Sequence, residues 1–267
     1  MNGSDTVLDL GAYLRRIDYR GPLDPTLPVL QALHHAHATH IPFENLDLML
    51  GRPIRVDLPS LQAKLVQARR GGYCFEQNTL LAAVLRAIGF EVDILLARVR
   101  RGAQRVLPRT HMVLQVHVGG ERWLADVGFG ADGLLRPAPL DPLGEVQSLP
   151  WVHRVVPEEP GLRVMQSLVD DAWMDLYAFT LEPQHAVDVE MSNHYVSTHP
   201  DSRFVQTLTA QRVAVDARYV LRNRDLTIDR GIDIETRHLA SRDDVLQVLD
   251  ELFGLPLPAD APLRTPE

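Results

Sequence analysis

Cys74 is the only cysteine in a chain of 267 residues, and it stands in "RRGGYCFEQN". A thiol used for packing sits among apolar residues, whereas this one follows two arginines, two glycines and a tyrosine. The chemistry open to it is nucleophilic attack on a carbonyl carbon. That chemistry needs the thiolate, and a free cysteine with a pKa of ~8.5 is mostly protonated at neutral pH. Position 74 offers activation. Gly71-Gly72 ends one helical stretch and Cys74 opens the next, where unpaired N–H groups and the helix dipole favour an anion. The same N–H groups can receive the oxyanion of a tetrahedral intermediate, and the glycines allow close backbone approach by a substrate. The other reading of this local context is a small buried hydrophobe that begins a core helix.

Such a nucleophile needs a base, and eleven histidines are too many to choose among by count. Geometry singles one out. "HMVLQVHVGGERWLADVG" is two strand-like runs around Gly119-Gly120, a short hairpin signal. With a two-residue loop, Val118 faces Glu121, and continuing the pairing sets His111 opposite Gly128 and Asp126 opposite Val113. Side chains alternate along a strand, so Asp126 projects on the same face as His111, one diagonal step of roughly 7–8 Å at the backbone. A three-residue loop would reverse the parity and put them on opposite faces. In the two-residue register His111 would deprotonate Cys74 and shuttle protons. Asp126 would fix the imidazole tautomer and stabilise its cation. Taken singly, His111 also reads as a strand-start residue bonded locally, and Asp126 as a turn-flanking carboxylate.

The elements that must position these groups come in a definite order. "TVLDLGAYLRRI", with Val7, Leu10, Leu14 and Ile17, and "TLPVLQALHHAHATH", with Leu27, Leu30 and Leu33, have helical periods. "LPSLQAKLVQARR" predicts a helix that stops at Gly71-Gly72. "FEQNTLLAAVLRAI" predicts an apolar helix after Cys74, ended by Gly89 as a C′ cap. The period then changes to that of strands in "FEVDILLARV", the hairpin, "PEEPGLRVMQSL" and "DLYAFTLE". A second shift comes near "SNHYVSTHPDS", after which "RFVQTLTAQRVAV" and "ARYVLRNRDLTIDRG" read as strands. Ser241 N-caps a final helix, "RDDVLQVLDELF", which ends at Gly254. The proline-rich tail beyond it is expected to be loosely attached. The fold class is therefore α+β: helices, then strands, then a smaller mixed piece.

Composition narrows the function. With 45% hydrophobic residues the chain can bury a sizeable core. A single cysteine excludes an internal disulfide and suggests a reducing, cytoplasmic compartment. The N-terminus lacks a secretory pattern, and no apolar run is long enough to span a bilayer. A formal charge of -8 argues against nucleic-acid or membrane partners. It still leaves room for a local basic site for a phosphorylated ligand. His34, His37 and His40 recur at steps of three, which raises metal binding. No cysteine or suitably placed carboxylate completes a ligand set, so no metal is expected.

"RRGGYCFEQN", "IPFENL", "RTHMVL" and "LADVGFG" together resemble the arylamine N-acetyltransferases, in that family's order of Cys, His and Asp. The four blocks span roughly the first half of the chain, and the last third matches only in its general pattern. The resemblance implies a helical domain carrying the cysteine (1–89), a β-barrel domain carrying the histidine and aspartate (90–192), and an α/β lid with the C-terminal tail (193–267). The core would be a cysteine-protease-like Cys-His-Asp arrangement. It also implies acetyl-CoA as co-substrate, a ping-pong reaction through an acetyl-cysteine thioester, and a small aromatic amine or hydrazine as acceptor. The catalytic residues would be Cys74, His111 and Asp126, in a cytoplasmic monomer or homodimer.

Further positions carry over one at a time. Phe43, Tyr73, Val99 and Phe129 match positions that line the acceptor pocket, though each would also serve ordinary core packing. Thr110 and Gly130 match positions near the acetyl group and the CoA arm. Glu44 and Arg70 resemble a structural ion pair that braces the cysteine loop. The segment between Val99 and His111 is short, so the loop bordering the pocket is expected to be trimmed. Two other activities share the Cys–His–Asp order: amide synthases of macrolactam pathways, and thiol hydrolases.

Overall fold

Prolines and glycines cut the N-terminal third into short helices. The computed structural model describes residues 8–141, 143–148, 151–214, 217–231 and 233–266, so Val7 of the first apolar stripe lies outside the described residues. The helices are α1 (Leu10–Arg16), α2 (Leu27–His40), α3 (Leu46–Met49) and α4 (Leu58–Leu61), the last running into a π-helical turn at Gln62–Gln67. The helix expected to reach Gly71-Gly72 thus stops at Gln67. Arg69 takes a left-handed φ of 54° and ends the helical path. The chain then runs beside the two-residue strand β1 (Phe43–Glu44), where Glu44 N–H bonds the Gly72 carbonyl and Gly72 N–H bonds the Pro42 carbonyl. Only glycine fits at position 71, because a Cβ there would lie 2.1 Å from the Pro42 carbonyl oxygen. Helix α5 (Cys74–Ile88) follows and closes at Gly89 with φ 109°. Its Leu80, Leu81, Val84 and Leu85 are fully buried.

Among the described residues the strands form two sheets, antiparallel throughout. The larger contains β2 (Glu91–Val99), β3 (Arg109–Val118), β4 (Glu121–Ala125), β5 (Ala138–Asp141), β6 (Glu145–Ser148), β7 (Trp151–Glu159), β8 (Leu162–Val169) and β9 (Ala172–Thr180). Their spatial order is β5-β4-β3-β2-β9-β8-β7-β6. Edge strand β5 packs against β6 and β7 at the other edge, so the sheet curls into a near-barrel around Leu95, Val113, Leu124, Met165 and Leu176. Strands β2 and β3 are buried on both sides, since Val92, Leu96, Met112, Leu114 and Val116 pack into the cluster that contains α5. The β3–β4 turn is the two-residue one. Val118 pairs with Glu121 and Leu114 with Ala125, and Gly119 and Gly120, at φ 61° and 85°, supply the positive angles of a type I′ turn.

The C-terminal third contains α6 (Ala186–Thr198), α7 (Arg203–Gln206), β10 (Thr209–Val213), β11 (Arg218–Arg222), β12 (Asp225–Asp229), β13 (Ile234–His238) and α8 (Arg242–Phe253). Sequence patterning did not anticipate α6. Its buried stripe of Val189, Asn193 and Val196 includes a polar residue that masks the period, and the boundary placed at 192/193 falls inside it. The run from Arg203, read as strand, begins with the helical turn α7 and becomes strand only at Thr209. The second sheet, β1-β10-β11-β12-β13, draws its first strand from the N-terminal third. Ser241 and Gly254 bound α8 as expected. The tail is not loosely attached. Leu255 and Leu263 are buried in the cluster that holds α8, and Arg264 N–H bonds the Met49 carbonyl. No helix of the described residues is long and apolar enough to cross a membrane.

Candidate active site

The first residue of α5 is Cys74, 3% exposed. Against it lies a break in the β2–β3 ladder: Ala97 pairs with His111 and Arg98 with Arg109, leaving Thr110 as an extra residue in β3. Bulges of this kind re-aim the backbone, and here the Thr110 carbonyl lies 3.7 Å from Cys74 Sγ. His111 follows directly. Its Nε2 is 2.8 Å from Asp126 Oδ2, on the shared face that the two-residue turn requires, which leaves Nδ1 as the ring nitrogen available to Cys74. The imidazole is packed edge-on against Phe129 at 5.0 Å and tilted against Tyr177 at 4.9 Å.

Charge follows from this enclosure. Burial alone would lower the His111 pKa. The Asp126 charge and hydrogen bond outweigh that, Cys74 adds its own hydrogen bond and charge, and the group is pushed up to about 10. Burial would raise Asp126, but His111, Asn78 and the Gly128 N–H hold it below the usual carboxylate range. The pair is therefore an imidazolium and a carboxylate at neutral pH, shielded from water.

Three residues to which the sequence reading gave no part beside Asp126 hold it in place. Asn78 donates to Asp126 Oδ1 at 2.9 Å and to the Met112 carbonyl at 2.7 Å, and accepts from Val127 N–H at 3.1 Å. It stands four residues after Cys74, one turn along the same helix face, and that spacing was the available signal. Gly128 N–H donates to Asp126 Oδ1 at 2.9 Å. A Cβ at Gly128 would lie 2.7 Å from Cys74 Cα, so glycine lets the Asp126 loop seat on the start of α5. His34 Nε2 accepts from Asp126 N–H at 3.1 Å, and burial pushes His34 down to about 4, keeping it neutral. Two of the histidines weighed for metal, His34 and His37, are thus supports, whereas the His40 ring bonds the Ala36 carbonyl and Thr39 of its own helix. His37 bonds Tyr13 Oη at 2.9 Å and Gln77 Oε1 at 2.7 Å. Among the described residues no group of three or more His, Cys, Asp or Glu is placed to hold a metal ion.

Beneath the cysteine loop runs a chain of charges, with buried carboxylates and half-buried cations. Arg70 reaches Glu44 at 2.7 Å and Asp47 at 3.4 Å, and Lys64 reaches Asp47 and Glu76 at 2.7 Å each. Glu44 and Arg70 therefore form only one end of the network. Glu76 Oε2 accepts from Tyr73 N–H at 3.1 Å, fixing the residue before Cys74. Burial pushes Glu76 up to about 7 although Lys64 opposes it.

Cys74 and His111 line a cavity of about 620 Å³, and Phe43, Val99, Thr110 and Phe129 form part of its wall. Phe204 of α7 joins them without having been foreseen. Tyr73 is placed differently. Its hydroxyl donates to Asn193 Oδ1, and its ring packs edge-on against Phe75 and Phe204 at 5.7 and 5.6 Å. Gly130 lies behind the wall, where a Cβ would meet Gln211 Oε1 at 2.3 Å. The loop from Arg100 to Pro108 and α7 complete the cavity on its exposed side.

A family model described as N-acetyltransferase matches residues 26–261. The arylamine N-acetyltransferase of Mycobacterium tuberculosis is 42% identical over 264 residues, covering 93% of this chain and 89% of that protein. Its solved structure superposes with a TM-score of 0.88, covering 93% of each chain. The Mycobacterium marinum arylamine N-acetyltransferase in complex with CoA superposes with a TM-score of 0.87 at 38% identity, covering 92% of this chain and 93% of that one. The amide synthase and thiol hydrolase readings gain no support from these matches.

Proposed function

Because the chain belongs to the arylamine N-acetyltransferase family and is an acyltransferase, we propose that it moves an acetyl group from acetyl-CoA to an aromatic amine or hydrazine in two half-reactions. In the first, Cys74 Sγ, a thiolate paired with the His111 imidazolium, attacks the acetyl carbonyl carbon. The first N–H groups of α5 face the oxyanion. The bond from carbon to the CoA sulfur breaks, and that sulfur takes the proton from His111. In the second, the amine nitrogen attacks the thioester carbon and His111, now neutral, accepts a proton from it. The bond to Cys74 then breaks, restoring thiolate and imidazolium. Asp126 stays ionised throughout and holds Nε2 as the donor.

One observation carries this reading. A buried imidazole, bonded to a carboxylate at 2.8 Å, lies on the wall of the same cavity as the only thiol of the chain. Phe43, Val99, Phe129 and Phe204 suit the flat ring of an aromatic acceptor, with Thr110 beside the acetyl group. The reading includes the helical, barrel and lid segments at 1–89, 90–192 and 193–267, and a cytoplasmic monomer or homodimer. The test is intact mass after incubation with acetyl-CoA and no acceptor, for wild type and Cys74→Ala. One acetyl group on the wild type alone, discharged by an aromatic amine, is the expected result. An adduct on the variant, or neither adduct nor free CoA from the wild type, overturns the reading.

A further inference from the structure

The chain is acidic overall, at -8, yet one side of the active-site cavity carries a surplus of arginine. Arg101 and Arg203 line the cavity, and Arg222 of β11 stands beside them. Burial lowers Arg203 below the ordinary guanidinium range, and the charges of Arg222 and Arg101 lower it further. Arg222 is lowered in the same way, by burial and then by Arg101. The carboxylate facing this group is Asp132, and it is already shared. It binds Arg101 at 2.6 Å and lies 3.9 Å from Arg218, which is stacked on Trp151 at 3.6 Å.

Among the described residues neither Arg203 nor Arg222 has a carboxylate ion-pair partner, and Arg222 Nε is buried without a hydrogen-bond partner. Arg100 does not belong to the set, because Glu158 and Asp175 neutralise it at 2.5 and 2.9 Å. Three guanidinium groups held together against their mutual repulsion, with one shared carboxylate between them and a buried Arg222 donor unused, are arranged for an anion. Planar forks of N–H donors match phosphate oxygens in bidentate fashion. A small aromatic amine has no use for such a group, whereas the acyl donor is a polyanion whose thioester must reach Cys74 in the same cavity.

We propose that Arg101, Arg203 and Arg222 form an anion subsite that holds a phosphate group of the CoA moiety. The subsite rests on the acetyl-CoA reading above. It gives the donor an anchor remote from the reacting carbon, and a donor lacking phosphate loses that anchor.

The experiment compares wild type with Arg203→Gln and Arg222→Gln in two measurements. The first is calorimetric titration of CoA into each protein in a Cys74→Ala background. Each substitution is expected to weaken CoA by roughly 10- to 100-fold, and wild-type binding is expected to weaken as salt is raised. The second is single-turnover acetylation of Cys74 at subsaturating acetyl-CoA and at subsaturating acetyl-pantetheine, which carries the same thioester without phosphate. The ratio of the two rates is expected to fall by the same factor as the affinity. Equal loss with both donors overturns the subsite, since the substitutions then damage the cavity. No loss with either donor overturns it too. A wild type that neither donor acetylates removes the acetyl-transfer reading and this subsite with it. A wild type acetylated by both, with unaffected variants, removes the subsite alone.

Discussion

Replacing Asp126 by asparagine isolates the role of the carboxylate, because the surrounding donors dictate how the amide must sit. Oδ1 accepts from Asn78 and from Gly128 N–H, and Oδ2 accepts from His111 Nε2. In the variant the amide oxygen has to stay with the two fixed donors, so its NH2 turns toward Nε2. That nitrogen becomes an acceptor, the proton moves to Nδ1, and the ring can no longer take a proton from Cys74. Raising His111 from its ordinary value near 6.5 to about 10 represents on the order of 5 kcal/mol favouring the charged ring. The Asp126 part of this disappears while the burial penalty remains, so His111 is neutral at pH 7. Single-turnover acetylation of Cys74 is expected to slow by about 10³- to 10⁴-fold, with alkylation by iodoacetamide slowed in parallel. Stability gives a second check. A raised histidine stabilises the fold fully below its unfolded value and loses that as pH climbs through its folded value. A depressed aspartate stabilises above its unfolded value and loses that as pH falls through the folded one. The stability gap between wild type and variant is therefore widest from about pH 4 to 6.5 and shrinks on either side, most slowly toward about pH 10. A rate within about tenfold of wild type, or a gap that does not change with pH, refutes the assigned geometry.

Asn78→Ala orphans the Met112 carbonyl and Val127 N–H and removes one donor from Asp126; a loss of about 2–5 kcal/mol in urea unfolding is expected, together with slower acetylation. Gly128→Ala drives a Cβ into Cys74 Cα; the first turn of α5 must shift, at a stability cost of about 1–3 kcal/mol. Its larger effect falls on single-turnover acetylation, about 100-fold for a displacement near 1 Å. Arg70→Met leaves Glu44, 0% exposed, without its cation; chemical denaturation is expected to show a loss of about 3–5 kcal/mol. Glu44→Gln in the same background should recover part of that loss, because the unpaired charge is then gone.

The hairpin and the support of Asp126 differ in how far sequence could reach them. Gly119-Gly120 admits a two-residue turn, that turn sets the parity of β3 against β4, and parity alone brings His111 and Asp126 to one face. Cys74 was equally legible, since a glycine pair before an apolar helical run marks a helix start. These are local rules acting over a few residues. His34, by contrast, reaches Asp126 across 92 positions, and Asn45 reaches Thr209 across 164. Neither contact leaves a periodic trace, and the same absence of trace hid α6, the docked tail and the far end of the Glu44–Arg70 network. The charge state of the site belongs to this second group. Hairpin register can place a carboxylate beside an imidazole, but the ring is pushed up to about 10 because the Asp126 charge and hydrogen bond outweigh the burial that would lower it, while His111, Asn78 and the Gly128 N–H hold the carboxylate below its usual range. The motif in a chain with a looser cover would keep its geometry and lose much of its pairing energy to solvent. The four sequence blocks therefore specify which atoms meet, and the packing of segments far apart in sequence determines whether they meet as ions.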